Sequence, residues 1–154
     1  MTDRSSFEFR SLAGITPGKT LVREVRDRLG DPETEYLTVA YQAAGGDAGG
    51  DLGWEFNTLG IKVFIHRDDI ERADATIDEV SITAPFDETL TCGLYVGQPL
   101  DFARNIIRQN FEVKDEYEDS IYFVPNSDDN MLACVENLTS DKVLNIELMN
   151  RDSD

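Results

Sequence analysis

The sequence predicts an α+β fold made of two tandem units. Each is a helix followed by a four-stranded antiparallel sheet, with the helices packed on one sheet face and the other face open. Three observations predict it. The stretch Ala13-Gly14-Ile15-Thr16-Pro17-Gly18-Lys19-Thr20-Leu21 returns as Cys92-Gly93-Leu94-Tyr95-Val96-Gly97-Gln98-Pro99-Leu100, about half of the 154-residue chain later. A fixed-period echo of that size points to repeated architecture. After each copy comes one stripe of helical spacing, then runs that alternate apolar and polar residues with period two. Short turn-rich segments separate those runs, which is the pattern of an antiparallel meander. The expected units are residues 12–83 and 92–149, with tails at 1–11 and 150–154.

In the first unit, Phe7 and Phe9 alternate within a polar lead-in and suggest a short edge strand. A helix is expected from residue 16 or 17 to 29, with Leu21, Val22, Val25 and Leu29 on one stripe and Arg23, Arg26, Asp27 and Arg28 outside it. Gly30-Asp31-Pro32 ends it, since glycine suits the C-cap side and proline cannot continue a helix. Strands are expected at 36–42, 52–56, 61–66 and 77–83. Their inward residues are Leu37, Val39, Tyr41, Trp54, Phe56, Ile61, Val63, Ile65, Val80 and Ile82. The glycine-rich run 43–51 reads as a flexible hairpin connection and Asn57-Thr58-Leu59-Gly60 as a tighter turn. In the second unit a helix is expected over 98–110, with Pro99 in its first turn and Leu100, Ala103, Ile106 and Ile107 as its stripe. A weak strand at 111–113 precedes strands at 120–124, 131–136 and 143–149, the last with Leu144, Ile146 and Leu148 inward.

Composition bounds the function. Hydrophobic residues are 40% of the chain and aromatics 9%, enough for a packed core. Acidic residues outnumber basic ones 31 to 14, giving a net charge of −17 and a sequence pI near 4.2. Such a field repels nucleic acid and anionic membrane and steers toward a basic partner. Solubility, or salt adaptation of a surface with four Lys and ten Arg, fits the same composition. No run reaches the ~18 apolar residues of a membrane helix. The first ten residues carry no signal-peptide pattern, and Cys92 and Cys134 are no disulfide framework, so cytoplasm is the expected compartment.

Gly14, Gly18, Leu29-Gly30-Asp31-Pro32 and Trp54-Glu55-Phe56, echoed by Gly93, Gly97 and the closing Lys142-Val143-Leu144-Asn145-Ile146, resemble the BamE (SmpA/OmlA) unit. In tandem the pattern is similar to β-lactamase inhibitor protein and its BLIP-like relatives, over about residues 12–149. The second half lacks the Leu-Gly-x-Pro and Trp signals. The lipidated cysteine of BamE-type proteins and the disulfides of the secreted inhibitor are also missing. The resemblance implies a folded inhibitor or assembly module, and the absence of a signal suits a cytoplasmic immunity or inhibitor protein.

Chemical motifs point away from catalysis. Gly18-Lys19-Thr20 before a helix has part of a phosphate-loop pattern, but Ala13 stands where its first glycine belongs and no parallel βα unit follows. His66 is the one histidine. With Arg67, Asp68 and Asp69 it makes a weak ligand set, better read as a solvated turn. Asp115-Glu116, Glu118-Asp119 and Asp128-Asp129 lack an EF-hand spacing. No cofactor and no metal are expected. The outward residues are the binding candidates: Tyr36, Phe64, His66, Glu79, Asn145 and Glu147, aromatic anchors in an acidic rim. A one-residue register slip would invert that set. The expected function is a non-catalytic acidic module binding a basic protein partner. The alternatives are a self-associating assembly module, or a ligand carrier or enzyme using a groove between the repeats.

Overall fold

Period-two alternation in the sequence becomes two distinct sheet faces in the folded chain. A computed structural model of the protein describes residues 7–37, 51–66, 73–127, 131–137, 142–143 and 145–150. Its elements in order are α1 (Val22–Leu29), β1 (Thr34–Leu37), β2 (Asp51–Phe56), β3 (Ile61–His66), β4 (Glu79–Thr83), α2 (Leu100–Asn110), β5 (Glu112–Glu116), β6 (Ser120–Val124), β7 (Met131–Glu136) and β8 (Asn145–Asn150). On β3, Ile61, Val63 and Ile65 are buried while Lys62, Phe64 and His66 are half-buried.

The expectation of two helix-plus-four-strand units, each with its own sheet, is overturned. β4 pairs antiparallel with β8, from Glu79 opposite Met149 to Thr83 opposite Asn145. The result, among the described residues, is one eight-stranded antiparallel sheet in the order β1-β2-β3-β4-β8-β7-β6-β5, with two short helices. The reason is the edge. A strand left at the rim of a four-stranded sheet exposes unpaired backbone groups. Pairing β4 with β8 satisfies them and sets Val80 against Leu148 and Ile82 against Ile146. Each such side-chain pair is worth roughly 0.2–1 kcal/mol and each ladder hydrogen bond about 0.5–1.5 kcal/mol net. Their sum is a sizeable share of the ~5–15 kcal/mol that holds a domain folded.

Two apolar rows cross the seam without a break. One runs Trp54, Val63, Val80, Leu148, Ala133, Phe123, and the other Phe56, Ile61, Ile82, Ile146, Val135, Ile121. All are buried and share one core with Val22 and Val25 of α1 and Leu100, Ala103 and Ile107 of α2. The lead-in joins the same core. Phe9 does not form the expected strand: its N–H donates to the Pro125 carbonyl at 3.1 Å, and its ring packs edge-on to Phe111 and Phe123 at 6.0 and 6.1 Å.

The sequence echo survives as a pair of matching clasps. The Gly18 N–H donates to the Ile77 carbonyl at 2.7 Å, and the Ile77 N–H returns to Thr20 at 3.0 Å. In the second copy the Gly97 N–H donates to Val143 at 2.9 Å, and the Val143 N–H to Gln98 at 2.7 Å. These clasps explain several element bounds. Ile77 and Val143 spend their backbone groups on the helix entries, so β4 and β8 begin later than expected. Residues 16–20 form a turn, and α1 starts at Val22. The amides of Gly18, Lys19 and Thr20 all donate to carbonyls, which leaves no phosphate cradle there. At the other bounds, β5 runs longer than expected, and residues 38–42 of the first expected strand lie outside the described residues.

Gly60 closes the turn between β2 and β3 at φ 74°. A Cβ there would run into the Thr83 carbonyl and stand 2.7 Å from the Phe86 nitrogen, both backbone atoms that cannot swing aside. Gly97 has a similar φ of 93°, but a Cβ added there would meet no atom within 4 Å. Gly97→Ala is expected to cost only backbone strain, about 1–2 kcal/mol. Gly60→Ala adds the collision and should cost about 3 kcal/mol or more. Urea unfolding of the two variants checks the order; equal losses would contradict it.

Candidate binding face

On the sheet face opposite the apolar rows, the register lays a polar row across the seam: Glu55, Lys62, Ser81, Glu147, Cys134, Tyr122, Asp115. Beside it on one side run the positions of Tyr36, Gly53, Phe64, Glu79, Met149 and Leu132. On the other run Thr83, Asn145, Glu136 and Ser120. Strand pairing thus assembles Glu79 of β4, Glu147 of β8 and Glu136 of β7 into one patch. This face is not bare. Cys134 has no exposed surface and Ser81 and Ser120 are buried.

The polar side chains of the patch hold one another. The Asn145 amide donates to the Glu147 carboxyl at 3.0 Å, and the Cys134 thiol donates to Glu136 at 3.8 Å, a sulfur distance. Burial, then the negative charges of Glu79 and Glu136, push the Glu147 carboxyl up to about 8, and a carboxyl–carboxyl hydrogen bond to Glu136 favours the protonated form further. Burial and the same glutamates, Glu147 and Glu136, raise the Cys134 thiol. Charge repulsion from the Cys134 sulfur, followed by burial, pushes the Tyr122 phenol up to about 12. These shifts all favour the protonated forms of Glu147, Cys134 and Tyr122.

Cys134 Sγ and carboxylate oxygens of Glu136 and Glu147 lie within 4.8 Å of one another, a span that a divalent cation could bridge. A thiol must lose its proton to become a ligand. At Cys134 burial and two carboxylates oppose that loss, and Glu147 holds a proton of its own. Binding a cation there would require both groups to give up their protons. Elsewhere on the sheet, Glu116 is engaged by Arg104 at 2.8 Å and by Arg108. The Arg108 hydrogen bond holds its carboxyl below the usual range.

No family model and no curated protein matches the chain. Among solved structures it is similar to a DUF4309 family protein (YjgB) from Bacillus subtilis. The two share 15% identity over 96% of this chain and 90% of that one, with a TM-score of 0.43. A likeness that low carries no argument about function, and it does not bear on the BamE or BLIP-like resemblance.

Of the residues picked from sequence, Phe64, His66, Glu79, Asn145 and Glu147 lie on this face by register, with Glu79, Asn145 and Glu147 at its seam. The backbone of Tyr36 occupies the same row as Phe64, across the side-chain-free Gly53. Asp68, Asp69, Asp128 and Asp129 lie outside the described residues. Cys134, Glu136 and Tyr122 are members of the face that sequence reasoning misses. The run from Met131 to Val135 is apolar throughout, so no alternation marks Cys134 as facing this side.

The raised Glu147 pKa fixes a sign. The group lies above its ordinary 4.5, so its contribution to stability is complete below that value and is lost as pH rises through about 8. The facing groups are Glu79, Glu136, Cys134 and Tyr122. Glu147→Gln keeps an oxygen for the Asn145 amide and cannot ionise. It should melt with the wild type near pH ~4 and about 4 °C or more above it near pH ~9. Parallel melting profiles across that range would contradict the assignment.

Proposed function

We propose that the chain is a non-catalytic protein-binding module that takes a basic partner on this polar sheet face. The observation that carries the reading is the gathering of Glu79, Glu136 and Glu147 across three paired strands, with Phe64 and Met149 the cross-strand neighbours of Glu79. Three carboxyl groups in one half-buried patch repel each other unless a proton or a cation intervenes. A guanidinium or ammonium group from a partner would replace the proton on Glu147 and gain charge-assisted hydrogen bonds. Phe64 would supply apolar contact at the rim, and the net charge of −17 would steer the approach. An inhibitor or immunity protein is the form of this function that the sequence resemblance implies.

Cytoplasm is part of the proposal. Cys92 and Cys134 are buried free thiols, which suits a reducing compartment. The described helices include none long and apolar enough to cross a membrane. Self-association by edge pairing has less support at β5. That strand carries Glu112, Lys114, Asp115 and Glu116 and shifts register between Val113 and Asp115, both features that discourage pairing.

Titration with an oligoarginine peptide separates a site from diffuse charge. Glu79→Gln with Glu147→Gln should weaken binding about tenfold. Asp101→Asn with Glu112→Gln removes the same charge elsewhere on the surface and should leave binding nearly unchanged. Wild-type affinity should rise with pH as Glu147 gives up its proton. Equal losses in the two double variants would refute a defined site.

A further inference from the structure

A second feature lies on the opposite, apolar side of the sheet, at its β1–β2 end. Val22, Arg23 and Arg26 of α1, Glu35 of β1, Leu52 and Trp54 of β2, and Ala73 line a cavity of about 480 Å³. That volume falls within the ~300–1,000 Å³ of small-molecule pockets, and the wall sets apolar side chains beside convergent charged ones. Arg23 and Arg26 stand three residues apart on α1, which puts them on neighbouring parts of one helix surface. In a chain with 14 basic and 31 acidic residues, two guanidinium groups at one cavity stand out against the net negative charge.

The polar groups are arranged around the indole. The Trp54 Nε1–H donates to the Glu35 carboxylate at 2.7 Å, which fixes the ring and occupies the one acidic side chain among the described residues of the wall. The Arg26 guanidinium carbon stands 4.7 Å from the Trp54 ring centroid. A guanidinium stacked on an aromatic face keeps its N–H edge available for a planar anion. Its other contact, Asp31 at 3.6 Å, is an exposed ion pair and therefore a weak competitor.

We propose that this cavity binds a small aromatic carboxylate. The apolar body would rest among Val22, Leu52 and Trp54, and the carboxylate would meet Arg23 and Arg26 at the rim. This site is separate from the glutamate patch and does not depend on the protein-binding proposal.

Trp54 is the single tryptophan of the chain, so its emission reports on the cavity directly. Titration with 4-nitrobenzoate, a quenching aromatic carboxylate, should give saturable quenching with a Kd of about 1 mM or tighter. The neutral 4-nitrobenzamide should bind at least about fivefold more weakly, and Arg23→Gln with Arg26→Gln should cost about tenfold. Arg23→Gln alone leaves the contact between Arg26 and Trp54 in place and should still weaken binding, which separates loss of the anion contact from disturbance of the indole. Circular dichroism melting confirms that the variants are folded. Quenching that stays linear with concentration, equal quenching by the amide, or wild-type affinity in both arginine variants would overturn the proposal.

Discussion

The pairing of β4 with β8 is the interaction on which the rest of the structure depends. It joins the last strand of the first half to the last strand of the second, and both apolar rows run through it. Without it each half would end in an unpaired strand beside a narrow core. With it the core reaches from Trp54 to Phe123, and the clasps at Gly18 and Gly97 tie both helix entries to segments that lead toward the joined strands. Phe9 adds a further link, since the lead-in to the first half packs against Phe111 and Phe123 of the second.

The same seam creates the chemistry of the opposite face. Glu147 on β8 and Glu136 on β7 are neighbours within the second half, and Glu79 on β4 joins them only because the sheet is continuous across the seam. Bringing them together costs free energy, and the structure offsets it with protons and local hydrogen bonds. Asn145 and the Cys134 thiol donate into the patch, and Glu147 holds a proton in the neutral range. A face arranged in this way suits a positively charged partner, because a cation relieves the repulsion that folding has built in.

Much of this was legible in the sequence, and the gaps have physical causes. Alternation in residues 61–66 and 145–148 correctly separates Phe64, Asn145 and Glu147 from Val63 and Ile146, since one face is apolar and the other is not. The glycine echo correctly marks two equivalent helix entries. It does not say whether two similar halves keep separate sheets, because strand order depends on backbone pairing that side-chain periodicity does not encode. Cys134 and Glu136 were hidden by the uniformly apolar run in which the first sits and which the second ends. The cavity beside Trp54 was hidden because Arg23 and Arg26 read as an ordinary solvated helix face and the indole as core.

The sheet seam adds the Glu79 carboxylate to the Glu136–Glu147 pair, which keeps Glu147 protonated near neutrality. Titration of the Glu147 side-chain carboxyl by carbon NMR tests it most directly, in the wild type and in Glu79→Gln. The wild-type midpoint should lie near 8 and move down when the Glu79 charge is removed. A midpoint near the ordinary 4.5 in the wild type would contradict it.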